Sequence, residues 1–341
     1  MGLRNNRCIV KIKNNYIWTA GIVAFMIVAF TIAITAGRYT ISFDNMIKAF
    51  TGQAIEDANV RTVLFNIRLP RAILAVIAGA GLAVAGAAFQ SMFSNPLATP
   101  DTLGVATGAS FGATLGIMLR LPALGIQMTA FIMGILSIIL VYSISKVKGE
   151  SSLVMLILAG MVISSLFEAL VSLIKYVADP QDVLPEITYW LMGSLAGTGF
   201  NDLLVGTLPM IIGIIIIVGL RWKLNVLSLH EDEARAMGIN LNFIRGLTII
   251  SSTMITASVI AMCGKVGWIG ILIPHISRMI FGNNNKYVIP ASLILGAAYL
   301  LLIDTIARSI SAAELPISIL TAIIGAPVFI ILLRKTGGIK A

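Results

Sequence analysis

The sequence has few charged residues for its length. Asp, Glu, Lys and Arg make up 11% of the 341 residues, whereas a soluble domain carries about 25%. So few charged residues cannot cover the surface of a water-soluble protein. The class of water-soluble proteins is therefore excluded. The hydrophobic share of 58% and the mean hydropathy of +0.96 indicate a chain whose solvent is mostly lipid.

Cysteine and histidine are also scarce. Cys8, Cys263, His230 and His275 stand far apart and show no metal-ligand spacing, so we expect no disulfide framework, metal site or cofactor. A phosphate-binding loop of the G-x-x-x-x-G-K-[ST] type is absent as well, and so is any nucleophile triad. We therefore expect no catalytic residues and no ATPase site in this chain.

Long apolar runs dominate what is present. A membrane span needs about 20 mainly apolar residues, and the first run is too long for a signal peptide. Lys and Arg are more frequent on the side of the N-terminus, so both termini are predicted to be cytoplasmic. We predict an all-α polytopic protein, a single transmembrane domain over 1–341 with a cytoplasmic tail at 1–15. The ten predicted spans are 16–37, 69–93, 104–119, 122–145, 153–178, 203–220, 243–263, 267–281, 288–310 and 316–334.

The longest polar interruption on the predicted cytoplasmic side is 221–242. Ser228 with Glu231 forms a capping-box pattern, and Gly238 suits the end of a short helix. The pattern predicts a short amphipathic helix on the cytoplasmic face. Two interpretations stay open: a capped loop helix, or a docking helix for a soluble partner.

A second cytoplasmic segment, 95–101, contains Pro96 and Pro100 and no Lys or Arg. Two prolines make it stiff and non-helical. It suits either the mouth or gate of a pore or a tight connector.

Arginines mark the predicted outer ends of two spans. Arg68 and Arg71 begin the second span, and Asp304 and Arg308 are spaced i, i+4 near the end of the ninth. This spacing suits an intrahelical ion pair, but Arg308 could also face outward. We expect an external basic rim that receives an acidic partner or an anionic substrate.

Glu168 lies deep in the fifth span. An ionised side chain at that depth costs about 2.5–3.5 kcal/mol or more unless it faces a cavity or a partner. It is therefore a candidate for a functional residue, and the competing interpretation is a structural pair with a neighbouring helix.

Taken together, these segments resemble the FecCD permease family over nearly the whole chain. His230, Lys265 and Trp268 depart from the family pattern. The motifs that carry the resemblance are Arg68–Arg71, Gly79–Gly86, Asn95–Gly104, Leu227–Gly238, Gly267–Arg278, Asp304–Arg308, Glu314–Ile317 and Gly325–Phe329.

The resemblance implies an ABC type II importer permease fold and assigns three groups of residues. Those expected to dock the ATPase are Glu231, Asp232, Glu233, Ala234, Arg235, Ala236, Met237 and Gly238. Those expected to meet an extracytoplasmic substrate-binding protein are Arg68, Arg71 and Arg308. Those expected to form the gate or pathway are Asn95, Pro96, Leu97, Ser152 and Glu168.

The implied function is import of an iron(III)–siderophore or a related metal chelate, such as haem or cobalamin, across the cell membrane. Alternating access would be driven by two separate cytoplasmic ATPase subunits. The second permease subunit is expected to be another copy of this chain, with a heterodimer as the alternative. An ion-coupled secondary transporter is the rival function, for which Glu168 alone is thin support. An intramembrane enzyme would need a catalytic constellation that the sequence lacks.

Overall fold

The computed structural model describes residues 2–54, 57, 59–147, 150–151, 153–228, 233–234, 238–311 and 313–335. These residues are almost entirely helical. In chain order the helices are α1 (Gly2–Thr35), α2 (Phe43–Thr51), α3 (Asn59–Arg61), α4 (Leu69–Met92), α5 (Val105–Met118), α6 (Ala123–Ser145), α7 (Leu153–Val177), α8 (Val183–Met192), α9 (Phe200–Leu220), α10 (Leu241–Cys263), α11 (Ile269–Phe281), α12 (Asn285–Ile310) and α13 (Ile317–Lys335).

Shorter elements complete the description. A π-helical stretch, Thr62–Arg68, joins α3 to α4 without a break, and two 3-10 turns occupy Pro100–Leu103 and Lys223–Ser228. A two-residue antiparallel ladder pairs β1 (Lys146–Val147) with β2 (Glu150–Ser151).

Seven of the described helical segments are long and apolar enough to cross a membrane, and three apolar helices are shorter. The predicted all-α polytopic architecture is therefore confirmed, whereas the exact number of spans and the side of the termini stay predictions. The long segments are Tyr16–Thr35, Asn59–Met92, Ala123–Ser145, Leu153–Val177, Phe200–Leu220, Leu241–Cys263 and Asn285–Ile310. The shorter ones are Val105–Met118, Ile269–Phe281 and Ile317–Leu332.

The structure adds helices where the sequence predicts loops. The second span begins at Asn59 instead of Leu69, because residues 59–68, of which half are apolar, continue the helix in α and π geometry. Two further helices, α2 and α8, lie between the predicted spans. We call the face of the bundle that carries Met92, Leu220 and Leu241 the inner face, and the face that carries Leu69 and Ile310 the outer face.

Helix α4 is the centre of the bundle. In its most apolar stretch of 18 residues, 83% of the residues are buried, compared with 22% in the corresponding stretch of α1. It packs against α9, α10, α11 and α12. A Cβ added at Gly79 would lie 2.3 Å from the carbonyl oxygen of Gly296, so α4 and α12 approach backbone to backbone. Small residues permit this contact, which is how helices gain dispersion energy in lipid.

Helix α11 begins well inside the bundle. A Cβ at Gly86 of α4 would meet the Gly270 carbonyl oxygen at 2.1 Å, so the start of α11 lies beside Gly86. With a rise of 1.5 Å per residue, Gly86 is about 26 Å from the outer end of α4 and about 9 Å from its inner end. The non-helical segment 264–268 therefore runs through the interior, where backbone must be covered by protein or line a watery cavity.

Candidate functional site

Five ionisable residues meet near the outer face. Arg71 of α4 donates from Nε to Asp304 Oδ1 at 2.8 Å and to Oδ2 at 3.0 Å, and its Nη2 lies 2.8 Å from Asp304 Oδ1. Arg71 Nη1 also donates to Glu314 Oε1 at 2.8 Å. Arg71 and Asp304 are buried, whereas the Glu314 side chain is 35% exposed. With Arg68 and Arg308, these residues form what we call the outer charge cluster.

The other two arginines of the cluster bind the end of α1. Arg68 Nη1 donates to the carbonyl oxygens of Ile34 at 2.6 Å and Thr35 at 2.9 Å, and its Nη2 donates to that of Tyr39. Arg308 donates to the Ala33 carbonyl oxygen and lies 3.6 Å from Asp304 Oδ2. The C-terminal carbonyls of a helix carry partial negative charge, so they suit buried guanidinium groups.

The expected external basic rim is wrong in its geometry. Arg68 and Arg71 are only 5% and 6% exposed, and the Arg308 side chain is 11% exposed. Two carboxylates and the α1 carbonyls hold all three inward, because buried charges need partners. The predicted i, i+4 pair of Asp304 and Arg308 is present. The cluster nevertheless has three cations and two carboxylates, so one positive charge is left over.

The predicted gate segment lies at the inner face. Asn95 and Leu97 are exposed, the latter by 46%, and Pro96 is partly buried. Asn95 Oδ1 accepts a hydrogen bond from the Leu97 backbone at 2.9 Å, which stabilises the turn. The structure thus places these three residues at an accessible surface. The fourth predicted gate residue, Ser152, lies outside the described residues.

Two opposite charges interact between the Pro100–Leu103 turn and the interior segment 264–268. Asp101, in the Pro100–Leu103 turn, is exposed, and Lys265 attracts its carboxylate electrostatically. Lys265 is exposed on the interior segment 264–268. Thr99, which precedes the Pro100–Leu103 turn, lies close to the start of α11. Its Cγ2 is 3.7 Å from a Cβ placed at Gly270. Charges at this depth indicate water rather than lipid around them.

Glu168 is exposed on α7, on a face that also presents Met161, Ser165 and Ser172. Among the described residues, no ion pair of Glu168 is found, so the structural pair with a neighbouring helix of this chain is not present. An ionised carboxylate is poorly tolerated in contact with lipid tails. This face of α7 is therefore suited to a second subunit or a watery pathway.

Most of the predicted docking helix lies outside the described residues: Glu231, Asp232, Arg235, Ala236 and Met237. Glu233 and Ala234 are helical, and Ala234 is fully buried. Gly238 has a φ of +71°, a left-handed conformation that favours glycine at a helix end.

The sequence pattern identifies Arg71 and Asp304 but does not pair them, since 233 residues separate them. Glu314 stands out in the sequence only as part of a motif. The sequence does not predict the interaction of Asp101 with Lys265, because the two residues lie far apart in the chain.

Comparisons with known proteins agree on one family. The FecCD transport family model matches residues 25–335. The molybdate import system permease protein of Haemophilus influenzae is 40% identical over 92% of this chain and 94% of its own length. The probable iron chelatin transport system permease protein of Helicobacter pylori strain 26695 is 36% identical over 83% and 86%. A solved inward-facing structure of a transporter assigned to the metal-chelate ABC type is 40% identical, with a TM-score of 0.84 over 92% of this chain and 98% of that one.

Proposed function

The chain belongs to the FecCD transport family of ABC-transporter permeases, and from that premise we propose that it imports an iron(III)–siderophore or a related metal chelate. It is a multi-pass protein of the cell membrane and the transport subunit of its complex. The observation that carries the proposed substrate class is the match to the metal-chelate type transporter, which covers nearly all of both chains.

Molybdate is the second candidate substrate. The relative from Haemophilus influenzae that imports molybdate is 40% identical over nearly the full length of both proteins. Lys265, exposed on the interior segment 264–268, would favour an anion beside it. Iron chelates with carboxylate or catecholate groups are often anionic too, so this lysine supports both candidates.

We further propose the arrangement of the partners. ABC permeases work with ATPase and binding-protein components, and 1–341 would act as one transmembrane domain beside a second copy of itself. The exposed face of α7 around Glu168 would then border the other subunit or the pathway. The cytoplasmic ATPase would dock on residues 231–238. This chain would carry no ATPase activity, since its sequence has no phosphate-binding loop.

The outer charge cluster remains the proposed docking point for the binding protein, in a modified form. Arg68 has no carboxylate partner among the described residues, and the Glu314 side chain is partly exposed. An acidic side chain of the binding protein that approached Arg68 would neutralise the unpaired charge. We expect Arg68→Gln to weaken binding of the binding protein, measured by surface plasmon resonance on the detergent-solubilised complex. Unchanged affinity would exclude Arg68 from the interface.

Transport in proteoliposomes tests the function. Vesicles that contain the chain, its ATPase and its binding protein should take up a labelled ferric hydroxamate siderophore only when ATP is present on the side of the ATPase. Labelled molybdate, supplied in parallel, distinguishes the second candidate. Uptake by vesicles without the ATPase, lost when an ion gradient is collapsed, would instead establish a secondary transporter.

A further inference from the structure

A network of asparagines connects the polypeptide just before the docking segment to a transmembrane helix. Asn225, in the 3-10 turn Lys223–Ser228, donates from Nδ2 to Asn284 Oδ1 at 3.0 Å. Its Oδ1 accepts a hydrogen bond from the Asn285 backbone at 2.9 Å. Asn284 caps α12 by accepting from the Lys286 backbone at 3.0 Å. The nitrogen and the oxygen of the Asn225 side-chain amide therefore both bind residues at the start of α12.

The network continues into α4. Asn285 is 2% exposed, and its Oδ1 lies 3.0 Å from the hydroxyl oxygen of Ser91, which donates to it. Ser91 belongs to the last turn of α4. The 3-10 turn is thus linked through Asn225 and Asn285 to the inner ends of both α12 and α4.

The turn itself is firmly anchored. Leu224 is fully buried and Leu227 is 5% exposed, and both belong to the main hydrophobic core. Next to it, Lys286 of α12 lies over the Trp222 ring, with Nζ 4.8 Å from the ring centroid. A displacement of this turn would therefore act on α12 directly instead of being absorbed by a loose loop.

The helices α4 and α12 are joined at three levels. Ser91 and Asn285 connect them at the inner face, the Gly79–Gly296 backbone contact connects them in the middle, and the Arg71–Asp304 ion pair connects them near the outer face. Two helices that are fastened along their length move as one body, since relative sliding would break buried polar contacts.

We propose that Asn225 is a transmission residue, which transfers movement of the ATPase-docking segment to the α4–α12 pair and through it to the outer charge cluster. This inference rests on the proposed function, because it needs an ATPase that moves the inner face. Asn225 contacts neither substrate nor nucleotide in this role; it positions the helices that do the work.

The test is the amount of substrate imported per ATP hydrolysed by the reconstituted complex. Asn225→Ala removes two hydrogen bonds, and we expect the ratio to fall about tenfold. Co-purification of the ATPase and the thermal stability of the complex in detergent should stay at wild-type levels. Asn225→Asp keeps the acceptor for the Asn285 N–H group and loses only the donor, so it should retain part of the ratio. Asn283→Ala, an exposed asparagine two residues away from Asn285, is the matched control and should behave as wild type.

A wild-type ratio in Asn225→Ala would overturn the proposal. So would loss of the ATPase or of thermal stability in proportion to the loss of import, since either would show a docking or folding role. If the alanine variant cannot be recovered from membranes, the aspartate variant decides by the same criteria. The wild-type complex in the same assay reports separately on the proposed function: if it imports substrate with ATP while Asn225→Ala does so equally well, only the transmission role fails.

Discussion

At the scale of single residues, Asp304 is the carboxylate around which the outer charge cluster is built. It pairs with Arg71 and Arg308, and its side chain is only 4% exposed. Burying three charges together is tolerated because each one has a partner at hydrogen-bond or ion-pair distance. Removing one partner of a buried ion pair lowers stability more than replacing both partners with apolar residues, since the remaining charge stays buried.

Asp304→Asn should therefore lower the free energy of unfolding by about 3–5 kcal/mol, the cost of leaving a buried partner charge unpaired. Denaturant unfolding in detergent measures it. Asp44→Asn is the matched control, because the Asp44 side chain is 70% exposed and pairs with Lys48 at the surface. An exposed pair contributes about 0–1 kcal/mol. Equal losses in the two variants would contradict the structural role given to Asp304.

A second residue pair links stability to pH outside the spans. The Tyr39 hydroxyl donates to Asp57 Oδ2, and this hydrogen bond holds the pKa of Asp57 below its ordinary value. A carboxyl whose pKa is lowered by folding stabilises the fold above its unfolded-state pKa, and this contribution disappears as the pH falls through its folded-state pKa. The same bond raises the pKa of Tyr39.

We expect the segment around residues 39–57 to be protected from amide hydrogen exchange at neutral pH and to lose protection in acid, below the ordinary Asp range. Tyr39→Phe removes the donor and should flatten this pH dependence. Hydrogen exchange measured by mass spectrometry, with each pH corrected for the intrinsic exchange rate, checks it. An unchanged acid transition in Tyr39→Phe would show that another group is responsible.

At the scale of elements, the bundle depends on backbone contacts that only glycine permits. Gly86 of α4 lies against Gly270 of α11, and Gly79 against Gly296 of α12. The atoms opposite Gly86 are backbone, so they cannot move aside as a flexible side chain would. Helix α4 can therefore contact the start of α11 closely enough for Gln90 Nε2 to donate to the Gly270 carbonyl oxygen at 2.9 Å.

Gly86→Ala should separate α4 from α11 and lower the free energy of unfolding by about 1–3 kcal/mol, the usual cost of overpacking a core. Gly246→Ala in α10 is the opposite case, because nothing lies within 4 Å of the added Cβ. This control should be neutral or more stable by about 0.4–1 kcal/mol, since alanine reduces the entropy of the unfolded chain. Unfolding in detergent compares them, and destabilisation of both variants to the same extent would refute the close-contact argument.

At the scale of the whole molecule, the two faces of the bundle carry different groups of residues, and we propose different functions for them. The inner face presents the segment 95–97 and the asparagine network, and the outer face carries the charge cluster. This division requires the inner face to be cytoplasmic, as the distribution of Lys and Arg predicts.

Labelling of single cysteines tests that orientation. In a background with Cys8 and Cys263 replaced by serine, a membrane-impermeant thiol reagent added to whole cells should modify Gln53→Cys at the outer face. Asn283→Cys, at the inner face, should react only after permeabilisation. Both positions are exposed, so access to the membrane side decides the outcome. The reverse pattern would invert the assigned topology.

The sequence by itself determined the class of protein and most of its spans. Lipid solvation requires long apolar segments with few charges, and both are local properties that composition and hydropathy report directly. The family motifs likewise contain the residues of the outer charge cluster and of the segment 95–97, for which a gate role stays a prediction.

Only the tertiary structure decided how those residues are used. Arg68 and Arg71 were expected to face outward, yet Asp304, Glu314 and the carbonyls at the end of α1 hold them inside. Those partners come from distant parts of the chain, as do the partners of Asn225 and of Asp101. A side chain's direction depends on which groups the fold brings near it, and helical periodicity describes neighbours within one helix and not those across a bundle.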